Sequence, residues 1–392
     1  MPVFMTAVST ILGAILFLRF GYSVANVGLF LTLMIILIGH AVTIPTALAV
    51  AEIATNQRVE GGGAYYIISR SFGLNVGGAI GITLFLSQAI SVAFYIIAFS
   101  AALVTPIEQL NLWLDANSTM PFRLSATHVN FVIMGGLTTL MLTKGANVGV
   151  KALYLVVAIL FVSLAMFLLG SSGYSPESID WFERVGKAGS RNNPDSFFAV
   201  FTIIFPAFTG IAAGLGLSGD LTDPKRSIPT GTMWATVAGI VLYVLVAFKL
   251  YFSVPQAQLA DDQLVMQDIA IWGPIIPIGL ACAAISSALG SIMIAPRTMQ
   301  ALGADKIFPG GTSKWMAKGR EKDNEPWNAS IITCLIGFAF VSIGELDVVA
   351  RIISMFFMVT YGAICMVSFF EHMAADPSYR PTFHILSHLQ NS

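Results

Sequence analysis

Phe205-Pro206-Ala207-Phe208-Thr209-Gly210-Ile211-Ala212-Ala213-Gly214 is a stretch of apolar and small residues that cannot continue as one regular helix. Pro206 lacks a backbone donor and clashes with the preceding turn, and Gly210 tolerates backbone angles closed to other residues. The stretch lies inside a run, 196–219, without a single Asp, Glu, Lys or Arg. Near the start of the chain Ala7-Val8-Ser9-Thr10-Ile11-Leu12-Gly13-Ala14 places hydroxyls and a glycine in the middle of another such run, 1–18. Amides and carbonyls freed at membrane depth are costly unless they line a cavity or bind something. A packing kink explains many single interruptions; corresponding breaks in two spans point instead to a site.

Outward from these breaks, the rest of the chain is equally poor in charge. Of 392 residues, 20 are Lys or Arg and 21 Asp or Glu, 10% in all, against 56% hydrophobic. Mean hydropathy is +0.79. A soluble domain carries roughly 25% charged residues, so a water-soluble enzyme and a disordered chain are both excluded. Net charge −1 and the lack of a long basic run argue against nucleic acid. Charge-free windows run 1–18, 20–51, 71–107, 124–143, 152–176, 196–219, 227–248, 269–296, 326–344 and 352–370. Each is near or above the roughly 20 residues that cross a bilayer as helix, and none alternates as a barrel strand does.

These ten windows predict an all-α membrane protein, ten transmembrane helices arranged as two inverted five-helix repeats with helices 1 and 6 broken at mid-membrane. The repeats are expected over 1–170 and 196–373, joined by an extracellular connection, 171–195, and followed by a cytoplasmic tail, 374–392. With the N-terminus cytoplasmic, 13 Lys/Arg fall in inner segments and five in outer ones, which favours that orientation. No basic region with a cleavage site precedes the first span, so no signal peptide is expected. Cys282, Cys334 and Cys365 sit in apolar spans without metal or redox spacing and read as small hydrophobes.

The groups at the breaks limit the cargo. Spans 1, 3, 6, 8 and 10 carry no carboxylate in their middle thirds, where a proton relay or divalent-cation cage would need one. What remains is backbone and the hydroxyls of Ser9, Thr10, Tyr95, Thr209, Ser286, Ser287 and Tyr361. Carbonyl and hydroxyl oxygens suit monovalent cations, and the amides of a fresh helix start suit an anion. A site offering both, with no charge of its own, fits electroneutral co-binding.

Three long motifs add a resemblance. AEIATNQRVEGGGAYYIISRSFG (51–73), FPAFTGIAAGLGLSGDLTDPKRSIPTGT (205–232) and the segment from Ser286 through APRTMQALGADKIFP (295–309) to Asn324-Glu325-Pro326 closely resemble cation–chloride cotransporters, as does Arg380-Pro381. The similarity covers nearly the whole chain. It implies the amino acid–polyamine–organocation fold, and sodium, potassium and chloride as transported ions without a cofactor. Carried over by position, potassium would meet Thr10, Ile11, Tyr95, Pro206 and Thr209. Chloride would meet the amides of Gly13, Ala14 and Ile15 above, and those of Gly210, Ile211 and Ala212 with the Tyr361 hydroxyl below. Sodium would meet Ser9, Leu12, Ala283, Ser286 and Ser287. The adjacent serines resemble the sodium-coupled branch, and Tyr95 stands where sodium–chloride members carry histidine.

The sequence departs from that pattern in two places. Thr10 replaces a usual asparagine, and Ala101 a usual glutamate that pairs with the arginine represented here by Arg19. Family members continue with two further helices and a cytoplasmic domain, elements that commonly carry dimerisation; a homodimer is compatible with the resemblance. Asp347 lies one turn before Arg351, placed to pair with it locally, which leaves Arg19 as an outer-vestibule cation that attracts chloride. Gly61-Gly62-Gly63 reads as a loop turn, not a phosphate cradle. The GLSG run 216–219 lacks a partner histidine for protease chemistry, and His384 and His388 read as tail. Asn117-Ser118-Thr119 is a formal glycosylation sequon. The expected partners are lipid and inorganic ions at a cell membrane. An amino-acid carrier of the same fold is the rival transporter, and a non-transporting scaffold the alternative of another class.

Overall fold

A computed structural model describes residues 2–56, 63–117, 123–144, 150–174, 194–210, 224–320, 324–374 and 381. Among them every regular element is helical. The first apolar run splits into α1 (Pro2–Ile11) and α2 (Ala14–Leu18), with Leu12 and Gly13 between them. Then come α3 (Phe20–Asn56), α4 (Ala64–Ala102), α5 (Val104–Asn117), α6 (Ala126–Lys144) and α7 (Val150–Leu169). The second broken run is α8 (Phe197–Ile204), capped by the Ser196 side chain, followed by a 3₁₀ turn, Phe205–Phe208. The remainder is α9 (Pro224–Ser253), short α10 (Gln256–Asp261) and α11 (Met266–Ile269), α12 (Ile275–Ala304), α13 (Gly311–Ala317), α14 (Trp327–Val341) and α15 (Leu346–Ala374).

Among the described residues six helices are long and apolar enough to cross a bilayer. Four shorter apolar stretches, Val3–Leu18, Tyr154–Leu169, Phe197–Phe208 and Trp327–Val341, stand at the other window positions. Large apolar side chains such as Leu37, Val132, Leu155, Trp234, Leu335 and Met373 face outward. On a soluble monomer such a surface would aggregate; facing lipid it has its natural solvent. The chain is a multi-pass membrane protein.

Two further windows hold more than one helical piece. Residues 20–51 were expected as one span, but α3 turns at Gly28 (φ 80°), and the run 71–107 turns at Gly73 (φ 78°) before α5 begins at Val104. Positive φ is where glycine alone is at ease, so short pieces precede the long helices at both sites. Window limits also shift where a helix continues past a charge, as α12 does through Arg297. α3 packs on α9 and α4 on α12; α4 also meets α15 while α12 meets α7. α1 packs on α7 and α9, and α8 on α15 and α3. The broken helices α1 and α8 therefore lie within the bundle. Cys334 is buried, Cys282 and Cys365 are half-buried, and all three are free thiols.

Candidate functional site

The two breaks are in contact. The last bond of α1 runs from Leu12 N–H to Val8 O at 2.8 Å, and the first across α2 from Leu16 N–H to Gly13 O at 3.2 Å. The amides of Gly13, Ala14 and Ile15 stand before that bond, where helix amides lack intrahelical acceptors. In the second break Pro206 O accepts from Thr209 N–H at 3.2 Å and from the Thr209 hydroxyl at 2.7 Å. Thr209 O accepts in turn from the Tyr361 hydroxyl. A Cβ on Gly210 would fall 2.6 Å from Ile11 Cγ1, 2.8 Å from Ile11 N and 2.9 Å from Ala7 O. Only glycine permits this approach.

The third wall is α12, with α4 beside it. A Cβ on Gly13 would lie 3.9 Å from Ser287 Oγ, which places that hydroxyl at the first break. Ser287 is 2% exposed and its oxygen has no hydrogen-bond partner among the described residues. The buried Tyr95 hydroxyl lies beside it. A buried polar atom without a partner is costly, and the Gly13–Ser287–Tyr95 corner holds one. Ser286 is half-buried, and Leu12 and Ala283 are fully buried. The Ser9 and Thr10 hydroxyls both donate to Thr6 O at 3.0 Å, so they complete their own helix turn. Ile211 and Ala212 lie outside the described residues, as do residues 216–219, His384 and His388.

A residue that the sequence reading did not single out joins the breaks. The Tyr243 hydroxyl contacts Ile11 O and, at 2.9 Å, Ala207 O. Its only signal in sequence is a phenol in the middle of the run 227–248. Among the described residues no cluster of three His, Cys, Asp or Glu could hold a metal ion. The corner is polar and uncharged.

Charges gather at the two ends. At one end Arg19 Nε donates to Asp347 Oδ1 at 2.6 Å and Nη1 to Leu18 O at 3.2 Å. This corrects the expected local pairing of Asp347 with Arg351: Arg19 enters from α2's end and takes the carboxylate. Arg351, Tyr22, Asp195 and Asp262 line the same cavity of about 260 Å³, and the Tyr22 hydroxyl donates to Asp195. At the other end Asp305 accepts from Tyr65 at 2.7 Å and from Arg70 at 3.1 Å. Burial and that hydrogen bond push the Tyr65 phenol above its ordinary value. Buried Glu52 accepts from Ser368 at 2.8 Å.

A family model described as amino acid permease matches residues 2–391. Solute carrier family 12 member 1 of Mus musculus is 33% identical over 419 residues, covering 95% of this chain and 38% of the mouse protein. Solute carrier family 12 member 2 of Homo sapiens is 32% identical over 425 residues, covering 95% and 34%. The chain thus spans little more than a third of the length of these curated relatives. The resemblance read from the motifs is borne out at the level of the family. With broken helices meeting in a charge-free corner and a match along almost its whole length, the chain belongs to the amino acid permease family.

Proposed function

We propose that the protein is a secondary transporter, not an enzyme, that carries sodium, potassium and chloride together by alternating access and without a bound cofactor. The observation that carries this reading is the contact of two broken helices beside an orphaned hydroxyl, with no carboxylate among the described residues of that corner. Oxygens at the Ile11–Tyr95–Pro206–Thr209 level suit potassium, and Ser287 with Ser286 and the neighbouring carbonyls suits sodium. Amides ahead of α2 suit chloride. Each ion then supplies the other's counter-charge.

The packing supports ten spans in two inverted repeats, 1–170 and 196–373. Exchanging each span with the one five later maps α3–α9 and α4–α12 onto themselves, α4–α15 onto α12–α7, and α1–α7 onto α8–α15. With the N-terminus cytoplasmic, the Arg19 cavity faces outward and Asp305 inward. A role for Arg19 in drawing chloride to the vestibule fits that placement. A cell-membrane location and a homodimer accord with the reading.

The family description favours one second reading, carriage of an amino acid. Purified protein in vesicles separates the two: rubidium uptake that needs both sodium and chloride supports cotransport, and chloride-independent uptake of a labelled amino acid supports the second reading.

A further inference from the structure

Tyr243 stands on α9, outside every ion-binding set that the motif resemblance supplies, yet its hydroxyl touches both unwound segments. It meets Ile11 O at the first break and Ala207 O, at 2.9 Å, at the second. A phenol has one proton and two lone pairs. It can donate to one of these carbonyls at a time, and the other then faces an oxygen lone pair with no hydrogen between. Oxygen facing oxygen in a buried site is unfavourable for a neutral group, but it is the arrangement by which carbonyls replace the hydration shell of a monovalent cation.

The phenol is held firmly. Its ring stacks on Phe20 at 4.9 Å and meets Phe208 edge-on at 5.1 Å, and the residue is fully buried. One turn earlier, Gly239 lets α9 come close, since a Cβ there would fall 2.7 Å from Ile11 Cγ2. Fixed ring and free O–H torsion leave one degree of freedom, the direction of the proton.

We propose that Tyr243 is a cation ligand contributed by α9, and a selectivity-determining residue for a dehydrated monovalent cation. When the cation takes Ile11 O, the hydroxyl turns its proton to Ala207 O and offers its lone pair to the ion, with no covalent bond made or broken. This rests on the reading of the breaks as an ion site.

The test is thermal unfolding of the full purified chain titrated with rubidium, sodium or choline chloride, for the wild type and for Tyr243→Phe. The variant keeps the ring and its stacking. Rubidium is expected to stabilise the wild type, and the variant to need roughly tenfold more of it, the size of one strong polar ligand. Its half-effective chloride concentration should stay the same. Unchanged rubidium dependence in the variant overturns the assignment, as does a wild type that no monovalent cation stabilises. If Tyr243→Phe does not fold, a ring-fluorinated tyrosine at 243, with a weaker lone pair, should shift the same titration in the same direction; no shift overturns the proposal. A Tyr243-dependent rubidium effect without chloride-dependent uptake would keep the ligand and remove the cotransport reading.

Discussion

Arg19 Nε and Asp347 Oδ1 close an ion pair at 2.6 Å between side chains 328 positions apart. The guanidinium is nearly buried and the carboxylate about one-third exposed, so the pair is worth about 1 kcal/mol rather than several. Its weight is electrostatic: Asp347 masks the Arg19 charge in the cavity that both share with Arg351, Asp195 and Asp262.

Neutralising either partner should therefore act in opposite directions. Asp347→Asn unmasks Arg19 and is expected to lower the external chloride concentration for half-maximal uptake; Arg19→Gln should raise it. The double variant should resemble Arg19→Gln. Chloride titrations at low and high ionic strength check this, and a shift of both single variants in the same direction would refute the masking role.

Ser287→Ala should cost no stability. Its hydroxyl is buried with no well-formed hydrogen bond and only the Tyr95 hydroxyl beside it, so removal leaves the melting temperature unchanged or raises stability by about 1 kcal/mol. Together with Ser286→Ala it should abolish sodium dependence of uptake while binding of the other ions persists. A destabilised double variant that still needs sodium would contradict the assignment.

Gly210→Ala tests the contact between the breaks. The new methyl would overlap Ile11 N and Ala7 O, both backbone atoms that cannot swing aside, so a loss of about 1–3 kcal/mol is expected. Gly362→Ala is the control: nothing lies within 4 Å of its Cβ position, and in α15 it should be neutral or stabilising by up to about 1 kcal/mol. Paired melting curves decide.

At the end away from Arg19, Asp305→Asn weakens the acceptor for both Tyr65 and Arg70. A loss of about 1–2 kcal/mol is expected, and Tyr65→Phe should cost less, since Asp305 keeps Arg70. Equal losses from the two variants would mean that Arg70, the more exposed partner, contributes nothing.

The broken helices are legible in the sequence because proline and mid-span glycine act on the backbone locally: Pro206 and Gly13 mark their own positions. The kinks at Gly28 and Gly73 are not, since an isolated glycine in an apolar run signals a turn only when its neighbours force positive φ. Tyr243 and the Arg19–Asp347 pair were hidden for a different reason. Their partners lie 232 and 328 residues away, and nothing in local composition says which of several polar groups a fold will bring together. The local rule of one helical turn even gave Asp347 the wrong arginine.

In the proposed cycle the ions neutralise one another in a site without charge of its own. The most direct test is chloride influx into vesicles driven by an inward sodium gradient, with potassium present, while the membrane potential is stepped. Net movement of one charge would couple to the potential by about 2.3 kcal/mol per 100 mV. Electroneutral cotransport gives a flux that follows the ion gradients and ignores the step; a flux that follows the potential would contradict it.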